Sequence, residues 1–265
     1  MNNSTLSIQH LNTTHIADVM ALQDKIIAGL NPDEQHFILH RTEADYMKSL
    51  TGKSSRMVGI FDNGKLIAQL IYGLPKNGED RDMPEFRPDI ANDKLVIFEA
   101  ILVDPAYRGH GLMHKMLDYV EETALDKKRN HALIQIAVDN PASWMNALHY
   151  GMKITKVDLD PFDAAKVIYL EKNIQRNKST SSATHISDIY HMHIGNNIHK
   201  KAPQLFKKMQ YLSEQGYVGI AFDKKTLSLI WLKEDIVPTN RKAICRNIKP
   251  TEQMVYAQNN HFLDR

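Results

Sequence analysis

A chain of 265 residues, 43% hydrophobic and 24% charged, has the composition of an ordinary globular protein, with room for one large domain or two modest ones. No apolar run approaches the ~20 residues of a membrane span, and the single Cys245 excludes an internal disulfide and fits a reducing compartment. The net charge of +2 hides an asymmetry: residues 1–175 hold 19 basic against 24 acidic side chains (−5), residues 176–265 hold 14 against 7 (+7).

The amino-terminal stretch lacks the basic start and apolar core of a signal peptide, so a cytoplasmic location is expected. A bacterial protein exported without such a signal would look the same. No membrane partner is expected. For the basic C-terminal part, a separate small domain with a solvated face is preferred to a nucleic-acid contact.

In chain order, residues 6–11 alternate as a short strand. Thr13 and Thr14 can cap a helix over residues 16–30, with Ile16, Val19, Met20 and Ile27 on its buried side. Asn31-Pro32-Asp33 ends it, and Thr42 opens a second helix within residues 41–50. Residues 57–61 and 66–72 are strands joined through Asp62-Asn63-Gly64, a strong hairpin signal. Residues 75–93, with three prolines and clustered charge, form a long loop.

Residues 96–103 are almost continuously apolar and β-branched, which suits a strand covered on both faces. Asp104-Pro105 stops it. A helix then runs to about residue 128, with Met113, Met116, Leu117, Val120 and Ala124 on one side. Residues 131–138 are another strand, 142–150 a short helix closed by Gly151, and 152–157 and 167–170 two further strands. Residues 173–184 read as a polar linker. After it come a strand (189–194), an amphipathic helix (198–214) carrying Leu205, Met209 and Leu212, and two strands (217–222, 227–232). The polar tail begins at residue 238.

Between the central strand and its helix lies Arg108-Gly109-His110-Gly111-Leu112-Met113. Two glycines let the backbone turn tightly and leave its N–H groups bare, at a helix start whose dipole favours anions. That is a phosphate cradle in outline. Other phosphate loops fit poorly: no Gly-x-x-x-x-Gly-Lys-Ser/Thr occurs, and His114 stands where a dinucleotide fold wants its third glycine. Glu99 interrupts the apolar strand, where a carboxylate is costly without a task or a partner. Partial burial would raise its pKa toward neutrality, as a general base needs; a solvated strand edge or a lysine partner is the plainer alternative.

The stretch from Val103 to Met113, with its Val-x-Pro-x-Tyr-Arg-Gly lead-in and Arg108-Gly-x-Gly111, resembles the pyrophosphate loop of the GNAT family of acetyl-CoA-dependent N-acetyltransferases. The order of elements over residues 5–173 is similar to that family's. So is the second motif, Asn140 and Ser143 before a helix, then Gly151-Met152, which could also be just a capped helix. The resemblance implies a mixed α/β (α+β) fold, its sheet mostly antiparallel and flanked by helices. It implies a GNAT domain over 1–174; composition and element order add a linker at 175–184 and a small basic α+β domain over 185–265, read as a degenerate half-repeat of the GNAT unit. It also implies acetyl-CoA as co-substrate. The amides of Arg108, Gly109, His110, Gly111, Leu112 and Met113 would face its diphosphate; the backbone of Ile101, Leu102 and Val103, with Asn140 and Ser143, would meet its pantetheine arm.

Some family members carry a glutamate at the place of Glu99 as the base. The chain departs from the pattern at Met113 and at Ala147, where many members have the tyrosine that protonates the leaving thiolate; Tyr150 is the nearest substitute. The expected activity is direct transfer of acetyl from acetyl-CoA to a primary amine. The acceptor would be a cationic small molecule or a protein lysine or N-terminus, drawn by Glu79, Asp80, Asp82 and Glu85 or by Asp158, Asp160 and Asp163. The alternative is an inactive CoA-binding module that engages a protein or nucleic-acid partner through its C-terminal part. No metal is expected: His191 and His193 share a strand face, with only His199 near enough in sequence to join them.

Overall fold

Asn63 and Gly64 take positive φ values of 49° and 82°, the backbone that a two-residue hairpin turn requires. They join β2 (Ser55–Asp62) to β3 (Lys65–Gly73). The computed structural model of the chain describes residues 6–175, 188–195 and 198–233. Cys245, residues 176–184 of the expected linker and the tail from 238 lie outside the described residues. Contacts divide the chain into two units, Met1–Ile134 with Asn173–Arg176 and Gln135–Lys172 with Asn177–Arg265.

In the first unit, β1 (Leu6–His10), β2, β3, β4 (Leu95–Val103) and β5 (His131–Ala137) neighbour one another in that order. All pairs are antiparallel except β4–β5, whose parallel register runs from Leu95↔His131 to Phe98↔Ile134. Parallel neighbours need a crossover, and α3 (Leu112–Asp126) supplies it. Its buried side is Leu112, Met116, Leu117, Val120, Glu121 and Ala124; Met113 is only half-buried.

Two helices precede the hairpin, α1 (Ile16–Ala28) and α2 (Glu43–Thr51). Thr42 caps α2 in a reciprocal box with Asp45. The start of α1 differs from expectation. Asn12, not Thr13 or Thr14, is the capping residue: it accepts from the Thr14 amide at 3.0 Å and opens a 3-10 turn over Thr13–His15. The buried face is also displaced, to Val19, Leu22, Gln23 and Ile26, with Ile16 and Met20 at its margin. A hydrophobic pattern assigns a glutamine to water, but Gln23 is fully buried because both ends of its amide bond to the main chain of Arg41.

In the second unit, α4 (Pro141–Tyr150) precedes β6 (Lys153–Leu159) and β7 (Lys166–Asn173), both longer than their patterns suggest. Then follow β8 (Ile189–His193), α5 (Ile198–Glu214), β9 (Tyr217–Asp223) and β10 (Ser228–Lys233). The order is β7-β6-β9-β10-β8, antiparallel wherever a register is defined. Helix, left-handed glycine, strand, turn and strand occur twice, at Gly151 (φ 106°) and at Gly216 (φ 76°). Helix α4 packs on β9, with Trp144 and Phe222 edge-on at 6.1 Å, and α5 packs on β6. The mixed, mostly antiparallel architecture flanked by helices is the one the sequence predicts.

The loop over residues 75–93 is fastened at its mouth. Arg129, just before β5, donates to the carbonyls of Leu74 (3.2 Å), Asn92 (2.9 Å) and Leu95 (2.6 Å), so one buried guanidinium spans both ends. Asn92 donates to the carbonyls of Lys76 and Glu79, and Arg81 to those of Phe86 and Arg87. Arg129→Met would leave three carbonyls short of a donor. Urea denaturation should then show a loss of about 3 kcal/mol, with faster amide exchange through residues 75–93. An unchanged midpoint would mean the mouth is held by other contacts.

Candidate active site

Strand β4 is not regular at Glu99. Ile71 of β3 pairs with Ala100 and Tyr72 with Phe98, so Glu99 is the extra residue of a bulge. A bulge frees a side chain from the alternation of its strand and re-aims it. The carboxylate comes to rest against the end of β3: a Cβ added at Gly73 would lie 3.2 Å from Glu99 Oε1. It lines a cleft of about 270 Å3 together with Ser54, Ser55, Gly73, Pro75, Asp80, Arg81, Asp82 and Ile97.

The Glu99 side chain is 16% exposed, and the Arg41 guanidinium stands 3.8 Å away. Burial pushes the Glu99 carboxyl up, the nearby Asp82 charge pushes it further, and Arg41 only partly opposes them; the outcome is about 7. Glu79, by contrast, accepts from the Ser54 hydroxyl (2.6 Å) and the Lys76 amide (3.0 Å), and these bonds hold its carboxyl below the usual range. Asp80 and Asp82 are the carboxylates of this loop that reach the cleft, and Glu85 is exposed outside it.

Beyond Glu99, β4 continues to Val103, with Leu70↔Ile101, Gln69↔Leu102 and Ala68↔Val103 in register to β3. Within this unit the register to β5 ends at Phe98. Asp104 then anchors the turn. Its amide donates to the Ile67 carbonyl, its Oδ1 accepts from the Ala106 amide at 3.1 Å, and its Oδ2 pairs with Lys25 of α1 at 2.5 Å. The Tyr107 hydroxyl donates to Asp62 at 2.8 Å.

Gly109 and Gly111 hold φ of 82° and 72°, with nothing within 4 Å of an added Cβ at either. Such backbone strains any other residue. His110 turns its Nδ1 to the carbonyls of Tyr107 (3.2 Å) and Arg108 (3.0 Å), away from the amides of the bend. Helix α3 starts with no side-chain cap and no acidic residue in its first turn. Among the described residues no side chain caps its first N–H groups, the arrangement in which a helix start can take an anion. Arg108 is exposed beside it.

The second unit holds the other sequence candidates. Asn140 caps α4, its side chain accepting from the Ser143 amide at 3.2 Å, and Gly151 closes the helix in left-handed conformation. Ala147 is fully buried. Tyr150 is half-buried, with Lys172 Nζ 3.8 Å from its ring centre. The late-hairpin carboxylates serve their own turn: Asp158 accepts from the Leu159 amide, Asp160 from Phe162 and the Gln135 amide group, and Asp163 from Ala165. His193 Nδ1 meets the Thr226 carbonyl at 2.9 Å, and among the described residues no three metal-ligating side chains come together.

Arg41, Gly73 and Ser55 are site residues that the sequence reading passes over. A glycine ending an apolar strand is a signal of close approach that could have marked Gly73. Nothing in the sequence marks Arg41.

Among known proteins, residues 24–149 match the model of the acetyltransferase (GNAT) family. No curated protein matches the sequence. Among solved structures, the chain is similar to a probable acetyltransferase from Staphylococcus epidermidis ATCC 12228, at 12% identity over 64% of this chain and 100% of that one, with a TM-score of 0.51. It is also similar to the GNAT domain of S. lividans PAT, at 12% identity over 65% of this chain and 92% of that one, with a TM-score of 0.50. At such identities the likeness is one of fold. Among the described residues no helix is long and apolar enough to cross a membrane. The match over residues 24–149 takes in Glu99 and the whole glycine bend, and this part of the chain belongs to the GNAT family, whose general chemistry is acyl transfer with acetyl-CoA as donor.

Proposed function

We propose that the protein moves an acetyl group from acetyl-CoA to a primary amine by direct transfer in a ternary complex. The observation that carries this reading is Glu99, a carboxyl that titrates near 7 inside a cleft. Acetyl-CoA supplies the activated acyl carbon as a thioester. The amides of Gly109 to Met113 bind the diphosphate; that of Arg108, expected to join them, donates to the Pro105 carbonyl at 3.3 Å, and its side chain adds charge at the edge. The backbone of Ile101, Leu102 and Val103 pairs with the pantetheine arm.

Glu99 takes one proton from the bound ammonium, directly or through a water, and frees the nitrogen lone pair. The amine nitrogen then bonds to the acyl carbon as the carbon–sulfur bond breaks and the sulfur leaves with the electron pair; the nitrogen's second proton passes through water to that thiolate, giving a neutral amide and the CoA thiol. Asp80 and Asp82 favour a cationic acceptor, either a small polyamine-like molecule or a lysine or N-terminus of a protein. Residues 185–265 are read as a small appended α+β domain, a degenerate half of the GNAT unit; among the described residues its support is the repeated helix, glycine and hairpin of α4-β6-β7 and α5-β9-β10.

A second reading rests on Ala147. It is buried where many relatives carry the proton-donating tyrosine, and the Tyr150 ring lies under Lys172. On that reading the domain binds CoA without turnover and serves a partner. A free-thiol assay with acetyl-CoA and a panel of primary amines separates the two; binding without turnover on any amine favours the module.

The enzyme reading predicts a kcat/KM that rises with pH through an inflection near 7, because the base works only when deprotonated. Glu99→Gln should lower kcat by about a hundredfold or more and abolish that inflection, leaving CoA affinity unchanged. A Glu99→Gln enzyme with full turnover would remove Glu99 from the mechanism. Gly111→Asp would put a Cβ at φ 72° and a carboxylate into the cradle. Calorimetry should then report CoA binding weakened roughly tenfold or more; unaltered binding would place the diphosphate elsewhere.

A further inference from the structure

Three polar side chains lie in the apolar core of the first unit: Gln23 at 0%, Tyr46 at 1% and Gln69 at 1% exposure. Tyr46 belongs to the same cluster as Leu22, Ile26, Met57 and Leu102. Groups of this kind are costly in such a place unless each is bonded, and Gln69 Oε1 has no partner. Their bonds run in one direction. Gln69 Nε2 donates to the Tyr46 hydroxyl (3.1 Å), and the hydroxyl donates to Gln23 Oε1 (2.8 Å). The Gln23 amide then clamps Arg41 as a β-bridge would, accepting from its N–H at 3.0 Å and donating to its carbonyl at 2.9 Å.

The row also has a fixed geometry at both ends. It begins on β3, where Gln69 is in register with Leu102 of β4. It crosses α2 and α1 and finishes at Arg41, whose guanidinium returns to β4 at Glu99. The hydroxyl fixes which end of the Gln23 amide faces Arg41, since only the oxygen can accept from both Tyr46 and the Arg41 N–H. A leucine core with an unclamped Arg41 would be the simpler way to fold this unit.

We infer that Gln69, Tyr46 and Gln23 form a buried row that holds Arg41 against Glu99, making Arg41 and Tyr46 positioning residues for the base of the transfer reaction. The inference rests on the reading of Glu99 as that base. The charged groups facing Glu99 are Arg41 ahead of α2 and Asp80, Arg81 and Asp82 from the loop; Gly73 on β3 brings none. Arg81 is turned to the Phe86 and Arg87 carbonyls through Nη2, and Arg41 is the cation whose charge acts on Glu99. Arg41 is thus the cation placed to favour the ionised carboxylate, and Asp82 works against it.

Carbon-13 NMR of the glutamate carboxyls in the full-length protein tests this without knowledge of the acceptor, the Glu99 signal being the one lost in Glu99→Gln. The midpoint should lie near 7 in the wild type. It should move up by about one pH unit in Arg41→Gln, return most of the way in Arg41→Lys, and move down in Asp82→Asn. Tyr46→Phe, which touches neither Arg41 nor Glu99, should move it up by a smaller amount. A Tyr46→Phe protein with a lower melting temperature and an unmoved Glu99 midpoint makes the row a mere fastener and overturns the inference. An unmoved midpoint in Arg41→Gln overturns it as well. Full turnover in Glu99→Gln fells the base reading itself, and the inference with it, whatever the titrations give.

Discussion

A carboxylate set into the central strand of an apolar sheet is the constraint on which this site depends. Glu99 is nearly covered, has the Arg41 guanidinium 3.8 Å away and the Asp82 charge acting against it. Its ionisation is therefore opposed by its surroundings, which is the condition for a base that can take a proton at neutral pH and give it up again. The bulge in β4, the glycine that ends β3 and the fastened loop carrying Asp82 all bear on this one group. Each has a stability cost or a conformational requirement that a plain β-hairpin would not carry.

The glycine bend is built on the opposite logic. Among the described residues no side chain caps the start of α3 behind it, and the side chains around it bond elsewhere. Asp104 is tied to Lys25 and to the backbone before the bend, Tyr107 to Asp62, and His110 is folded back on carbonyls. What remains is a turn with two left-handed glycines at the start of α3. The two halves of the proposed chemistry thus lie at the two ends of one stretch, Glu99 on the strand and the bend just after it.

The parts of the site legible in the sequence are those whose cause is local. Gly109 and Gly111 announce positive φ, Asn63-Gly64 a hairpin, and Glu99 stands out as a charge in an apolar run. Asn140 is legible as a helix cap for the same reason. What was not legible involves residues far apart in the chain. Arg41 reads as the start of a helix, and only the fold brings it to Glu99, 58 residues on. Gln23, Tyr46 and Gln69 each look like ordinary surface or amphipathic positions, and their burial is explained only by one another. The misplaced face of α1 has the same origin, because periodicity cannot foresee that a glutamine will be satisfied by a distant main chain.

The pH dependence of folding tests the buried carboxyl most directly, since it needs neither cofactor nor acceptor. A carboxyl raised from 4.5 unfolded to about 7 folded leaves the native state unpenalised below the lower value and penalised in full above the higher one. Wild-type protein should therefore lose about 2.5 kcal/mol more unfolding free energy than Glu99→Gln between pH 5 and pH 8. Parallel stability curves for the two proteins across that interval would contradict the account, because Glu99 would then be an ordinary solvated acid.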